Sequence, residues 1–179
     1  VGASAVQNIG AYGVEAGQYI EQVETLDSES GETRIFQSNE CKYAYRSSVF
    51  KHEYLGRYIV THVVYRLSLD FQPNLHYAAL TRELQARQIT PETLTAKMLR
   101  NIIVEVRHSK LPDPNELGSA GSFFMNPVIS KEQFVSLQQK YADIPHYDMG
   151  DAVKIPAGWL IEQCGWKGQS LGPAGVYAK

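Results

Sequence analysis

The chain has 179 residues, enough for one large domain or two small ones, and a globular chain of this length buries roughly 70% of the surface it exposes when unfolded. Its 17 basic residues against 19 acidic ones leave a net charge of −2, which argues against an extended nucleic-acid surface. No apolar run approaches the ~20 residues of a membrane span, and no charged segment leads into an apolar one as a signal peptide requires.

Cys41 and Cys164 stand far apart with no CxxC, the pattern of reduced thiols in a cytoplasmic protein. The five histidines show no HxxxH or HxxE spacing, so no metal site is expected.

Residues 1–15 read V-G-A-S-A-V-Q-N-I-G-A-Y-G-V-E. Small residues, Gln7, Asn8 and three glycines predict a tight irregular turn whose backbone N–H groups can approach phosphate or an aromatic ring. It is neither GxGxxG nor a P-loop. The start at valine inside this stretch, and the ending L-G-P-A-G-V-Y-A-K, give the expectation that both ends are cut from something longer.

Residues 18–26 and 32–36 are two short strands around a turn of Asp, Ser and Gly at 27–31, hence a hairpin. C-K-Y-A-Y-R-S-S-V-F-K follows from Cys41, where Tyr45 and Arg46 could present a ring and a bidentate guanidinium to a carboxylate or phosphate. Residues 57–71 give the clearest strand. From Ile59 its odd positions, Ile59, Thr61, Val63, Tyr65, Leu67, Leu69 and Phe71, are expected on the core face, with Pro73 closing the ladder. Residues 74–88, containing Tyr77, read as a mixed loop packed over something.

Thr90 and Pro91 predict a helix start, with Leu94, Met98, Leu99, Ile102, Ile103 and Val106 as one buried stripe to about Arg107. H-S-K-L-P-D-P, 108–114, is a rigid connector and the expected domain boundary. Residues 117–127, L-G-S-A-G-S-F-F-M-N-P, form a glycine loop that can come close to a flat ligand. Ser122 offers a hydroxyl there, with Phe123 and Phe124 expected to anchor the turn in apolar surroundings. Ser130 and Gln133 make a capping box for a helix to Tyr141, and a short helix over 156–164 stops at Gly165. Antiparallel hairpins with segregated helices give an α+β fold.

Together the opening fifteen residues, Y-R-S-S-V-F-K, S-K-L-P-D-P, G-S-A-G-S-F-F-M-N-P and A-G-W-L-I-E-Q-C-G-W-K-G resemble one family, in order, across nearly the whole chain. That family is UDP-N-acetylenolpyruvoylglucosamine reductase (UDP-N-acetylmuramate dehydrogenase), the flavoenzyme of bacterial peptidoglycan precursor synthesis. The Tyr77 segment resembles the extra loop of its type I branch.

The resemblance implies that NADPH reduces FAD and leaves, after which a hydride passes to C3 of the enolpyruvyl group of UDP-N-acetylglucosamine enolpyruvate. It implies Ser122 as the proton donor to C2 and Arg46 as the cation holding the carboxylate. Tyr45, Tyr77, Lys110 and Asn126 match substrate-binding residues. Ala3, Ser4, Gln7, Asn8, Ile9, Gly10 and Gly13 match part of the FAD surface.

Residues 1–110 would then be the second part of a FAD-binding domain and 111–179 a substrate-binding domain, in a cytoplasmic protein that is a monomer at full length. On this resemblance the family's pyrophosphate-binding N-terminal part is expected to be missing from this stretch. Its catalytic glutamate lies beyond Lys179, and Met125 stands where a lysine is frequent. This piece alone is therefore expected to be inactive and to hold FAD poorly. Two rivals are a non-catalytic nucleotide-sugar binding module and a serine hydrolase. Against the second, G-S-A-G-S is out of phase with GxSxG.

Overall fold

A computed structural model describes residues 2–178. It divides into two units, Val1–Val104 and Glu105–Lys179. The first opens with α1 (Gly2–Gln7), where the sequence predicted an irregular turn. Alanine is the best helix former, and Ala5 is fully buried, so packing settles a helix too short to persist alone. Gly10–Ala11 (β1) and Val14–Glu15 (β2) form a small antiparallel ladder.

The hairpin is as expected: β3 (Ile20–Asp27) and β4 (Thr33–Gln37) pair antiparallel from Leu26↔Thr33 to Gln22↔Gln37. Its turn is closed from inside. Asp27 is buried, and its carboxylate accepts from Glu29 N at 2.9 Å and from Arg57 Nε at 3.0 Å. Both the Glu29 amide, the larger effect, and Arg57 hold this carboxyl below its ordinary pKa.

β5 (Tyr58–Tyr65) completes a three-stranded sheet in the order β4-β3-β5. Here the predicted parity fails. Tyr58, Val60 and Val63 pack on the core, while Ile59 is 58% exposed and Thr61 and Tyr65 also face out. Thr25 pairs with Val60 but Glu24 pairs with His62, so Thr61 is an extra residue on β5. That bulge turns the strand over midway, and strict alternation cannot foresee it. The strand also ends at Tyr65, leaving Leu67, Leu69 and Phe71 exposed rather than in the core.

The core beneath the sheet joins Ala5, Ile20, Val23, Phe36, Cys41, Val49 and Phe50. Phe36 is its centre, edge-on to Phe50 at 5.1 Å and to Tyr58 at 5.0 Å. Both cysteines are free, Cys41 buried and Cys164 exposed.

The expected loop after Pro73 contains a helix, α2 (Ala78–Ala86), because Leu80 and Leu84, one turn apart, are both buried. The next helix, α3 (Ala96–Lys110), starts later than predicted. Thr90 closes a separate turn, accepting from Leu94 N at 3.1 Å, while the Thr95 hydroxyl accepts from Met98 N at 3.2 Å and takes the capping role. Arg107, His108 and Lys110 complement the negative end of α3.

In the second unit, β6 (Val128–Ser130) leads directly into α4 (Lys131–Gln138). The predicted capping box is present, with Gln133 N donating to Ser130 Oγ at 3.2 Å and Ser130 N to Gln133 Oε1 at 3.1 Å. β7 (Tyr147–Asp148) and β8 (Ala152–Lys154) complete a sheet ordered β6-β8-β7. α5 (Ala157–Gln163) ends as expected near Gly165, at φ +73°. β9 (Ser170–Leu171) and β10 (Ala174–Gly175) form a last short pair. Phe134, Ile144, Val153 and Ile155 make this unit's core. Every strand pair is antiparallel and the helices pack outside the sheets, an α+β arrangement.

Candidate functional site

In the first unit the sequence-predicted residues converge through a mesh of hydrogen bonds around the end of α1. Asn8, only 2% exposed, is its hub. Its amide nitrogen donates to Glu15 Oε2 at 2.8 Å and Ala44 O at 2.9 Å, and its oxygen accepts from Gly17 N at 2.7 Å. The Asn8 side chain is thus spent inside the protein, whereas the sequence placed it on a cofactor surface.

Gly17 is required here because Tyr43 lies against it: a Cβ at Gly17 would stand 2.7 Å from the ring. Ser4 Oγ lies 2.6 Å from the Tyr65 hydroxyl. Ala3, Ile9, Gly10 and Gly13 are exposed, small or apolar.

Ala44 and Ser47 exchange two backbone hydrogen bonds, of 3.2 and 3.0 Å, around Tyr45 and Arg46. Arg46 sits in left-handed backbone at φ +49°, uncommon for a residue with a Cβ. Such conformations persist where the surroundings over-determine them, and they gather at functional sites. Two further bonds tie this turn to α1: Ser48 Oγ donates to Val6 O at 2.7 Å, and Lys51 Nζ to Gln7 Oε1 at 3.0 Å.

Tyr77 joins the same neighbourhood. Its ring meets Tyr12 edge-on at 5.4 Å, and Asn74 Nδ2 donates to Gly13 O at 3.0 Å. The expected loop therefore does pack over something, namely the turn between β1 and β2. Lys51, Asn74 and Glu15 were not singled out from sequence, because the partners that give them a role, Gln7, Gly13 and Asn8, meet them only once the chain is folded.

In the second unit Ser122 lines an open cleft of about 800 Å³ with Leu117, Phe123, Asn126, Ala157 and Tyr177. Among the described residues lining it none carries a formal charge, so that lining suits an uncharged part of a ligand. Gly121 is needed for its backbone: φ is +67°, and a Cβ would meet nothing within 4 Å. Phe123 and Phe124 do not anchor the turn in apolar surroundings. They are 78% and 61% exposed and contact each other edge-on at 5.2 Å.

Asn126 fixes the end of the loop, its Oδ1 accepting from Ala157 N at 2.9 Å at the start of α5. Lys110 is exposed at the end of α3. Arg46 and Ser122 fall in different units. Among the described residues no helix is long and apolar enough to cross a membrane.

Residues 113–179 match the family model for the UDP-N-acetylenolpyruvoylglucosamine reductase C-terminal domain. The chain is 51% identical over 178 residues to UDP-N-acetylenolpyruvoylglucosamine reductase of Porphyromonas gingivalis, covering 99% of this chain and 52% of that protein. It is 49% identical over 180 residues to the reductase of the same name from Bacteroides fragilis, covering 100% and 53%. The chain spans about half the length of the curated relatives it matches. A solved UDP-N-acetylenolpyruvylglucosamine reductase from Thermus caldophilus, 22% identical, aligns with 96% of this chain and 44% of its own at a TM-score of 0.49, too low to bear on the fold.

Proposed function

Homology with the UDP-N-acetylenolpyruvoylglucosamine reductases runs the length of this chain, and on that premise we propose that it carries part of the machinery reducing UDP-N-acetylglucosamine enolpyruvate to UDP-N-acetylmuramate in the cytoplasm. Residues 1–110 are the second part of a FAD-binding domain, and 111–179 a substrate-binding domain. FAD, when bound, supplies to C3 of the enolpyruvyl group a hydride drawn from NADPH. The residues present suit the flat ring of that group: Ala3, Ile9, Gly10 and Gly13 offer exposed small or apolar surface. Gln7, Asn8 and Ser4 shape that surface through the bonds they make inside the unit.

Arg46 pairs with the substrate carboxylate. Addition of hydride at C3 pushes charge onto C2 and the carboxylate, so a guanidinium fixed beforehand stabilises the transition state more than the ground state. Ser122 then gives its hydroxyl proton to C2, which completes the addition of H₂ across the double bond. The glycine turn beside it places Ser122 on the lining of the cleft. Tyr45, Tyr77, Lys110 and Asn126 hold the nucleotide sugar, Lys110 by its charge toward phosphate.

The single observation that supports this reading best is 51% identity maintained over 99% of the chain. The test is NADPH oxidation with the enolpyruvyl sugar as acceptor. Ser122→Ala lowers kcat by roughly 10²–10⁴ if the hydroxyl is the general acid; a drop of less than about tenfold removes Ser122 from that role.

A further inference from the structure

We infer that Lys51 is a positioning residue for Arg46. The inference rests on the reading of Arg46 as the group that holds the substrate carboxylate. Lys51 ends a 3-10 turn (Val49–Lys51) and is half-buried. Its ammonium donates to Arg46 O at 2.8 Å and to Gln7 Oε1 at 3.0 Å, so one side chain joins the left-handed turn to the end of α1.

Other cations of this unit are spent differently. Lys42 pairs with Glu53, Arg57 with Asp27 and Arg66 with Glu21. Both acceptors of Lys51 are neutral oxygens, so among the described residues no carboxylate cancels its charge beside the turn proposed to receive an anion.

The geometry also gives Lys51 a mechanical part. Arg46 occupies a backbone region that a residue with a Cβ rarely adopts. The Ala44 and Ser47 bridge sets the turn from its two ends, and Lys51 grips the carbonyl at its apex. Without that grip the peptide after Arg46 loses one of its holds, the Ser47 N to Ala44 O bond being another, and can tilt and carry the guanidinium with it. Misplacement of a substrate-holding group by about 1 Å can cost up to ~10²-fold in rate. Gln7, the other acceptor, lies in the stretch assigned to the cofactor surface, so Lys51 holds Arg46 in fixed register to that surface.

The experiment compares Lys51→Met, which keeps the aliphatic stem and loses the donors, with Lys51→Arg, which keeps charge and donors. It is run in the full-length reductase. Lys51→Met is expected to raise KM for the enolpyruvyl sugar by roughly ten- to a hundredfold. NADPH oxidation with ferricyanide as acceptor, which involves no carboxylate substrate, should fall by less than turnover of the enolpyruvyl sugar, and Lys51→Arg should recover most of the loss.

Amide hydrogen exchange gives a second readout that needs no turnover: the Ala44 and Ser47 amides should exchange faster in Lys51→Met. Unchanged KM and unchanged exchange overturn the inference, as does an equal loss with both acceptors, which would mark a general structural role. A parent protein that does not reduce the enolpyruvyl sugar at all defeats the functional reading itself. A normal parent with a normal Lys51→Met variant defeats this inference alone.

Discussion

In Val1–Val104 the residues proposed to meet an anionic substrate are set in a mesh of hydrogen bonds over a core of seven buried side chains. In Glu105–Lys179 the proposed acid rides an exposed loop, and the core holds four. Asn8 alone ties three segments together, and Lys51 and Ser48 add two more links between α1 and the Arg46 turn. The glycine loop is anchored at its end by Asn126 on the start of α5. The contrast fits the roles proposed for the two parts. A guanidinium that orients a carboxylate has to be held in place before the substrate arrives, and rigid elements do that. A proton donor on a loop can adjust to the substrate once it is bound, and loops draw on the less stable end of a structure.

The sharpest way to break this contrast is to empty one core at a time. Phe36 is fully buried, so Phe36→Ala should cost the first unit roughly 3–5 kcal/mol, seen as a lower urea midpoint by far-UV circular dichroism. Trp159 and Trp166 are the protein's two tryptophans and both lie in the second unit, so their fluorescence reports there. Equal displacement of both signals would make the units one cooperative body and dissolve the comparison.

A smaller loss sharpens it. Asn8→Gly keeps the freedom needed at φ +46° but leaves Gly17 N without its acceptor and removes one donor from Ala44 O, which keeps Ser47 N. We expect a loss of about 1–3 kcal/mol in the first unit and faster exchange of the Gly17 amide. An unaltered exchange rate there would show that the hub is not what holds the site.

The least effect is electrostatic and depends on pH. The Asp27 carboxyl is held below its ordinary value, so its folded form favours the ionised state. Its contribution is full above the unfolded value of about 3.9 and is lost as pH falls through the lower folded value. The urea midpoint of the first unit should drop at acid pH, and Asp27→Asn should flatten that drop. A variant with the parent's acid profile would mean that other carboxylates dominate.

Much of this architecture was legible in the chain because it rests on neighbours in sequence. The hairpin needed only an Asp-Ser-Gly turn between two β-rich runs. The helix after Ser130 needed only a hydroxyl and a glutamine three residues apart, and the stop at Gly165 a residue free to take positive φ. The family resemblance likewise lay in short ordered motifs.

Other features were set by partners brought together from afar. Residues 2–7 and 78–86 are helical because buried alanine and leucine side chains outweigh weak local signals. The strand from Tyr58 reverses its faces because of a bulge whose position depends on its partner strand, and Phe123 and Phe124 face solvent because their loop edges a cleft. Whether Asn8 meets a ligand or the protein depends on groups seven to 36 positions away, and the tie from the Arg46 turn back to Gln7 joins groups 44 positions apart. Side-chain chemistry and local turn signals are written into the chain itself; which hydrogen-bonding groups find one another is decided only when folding closes the loops between them.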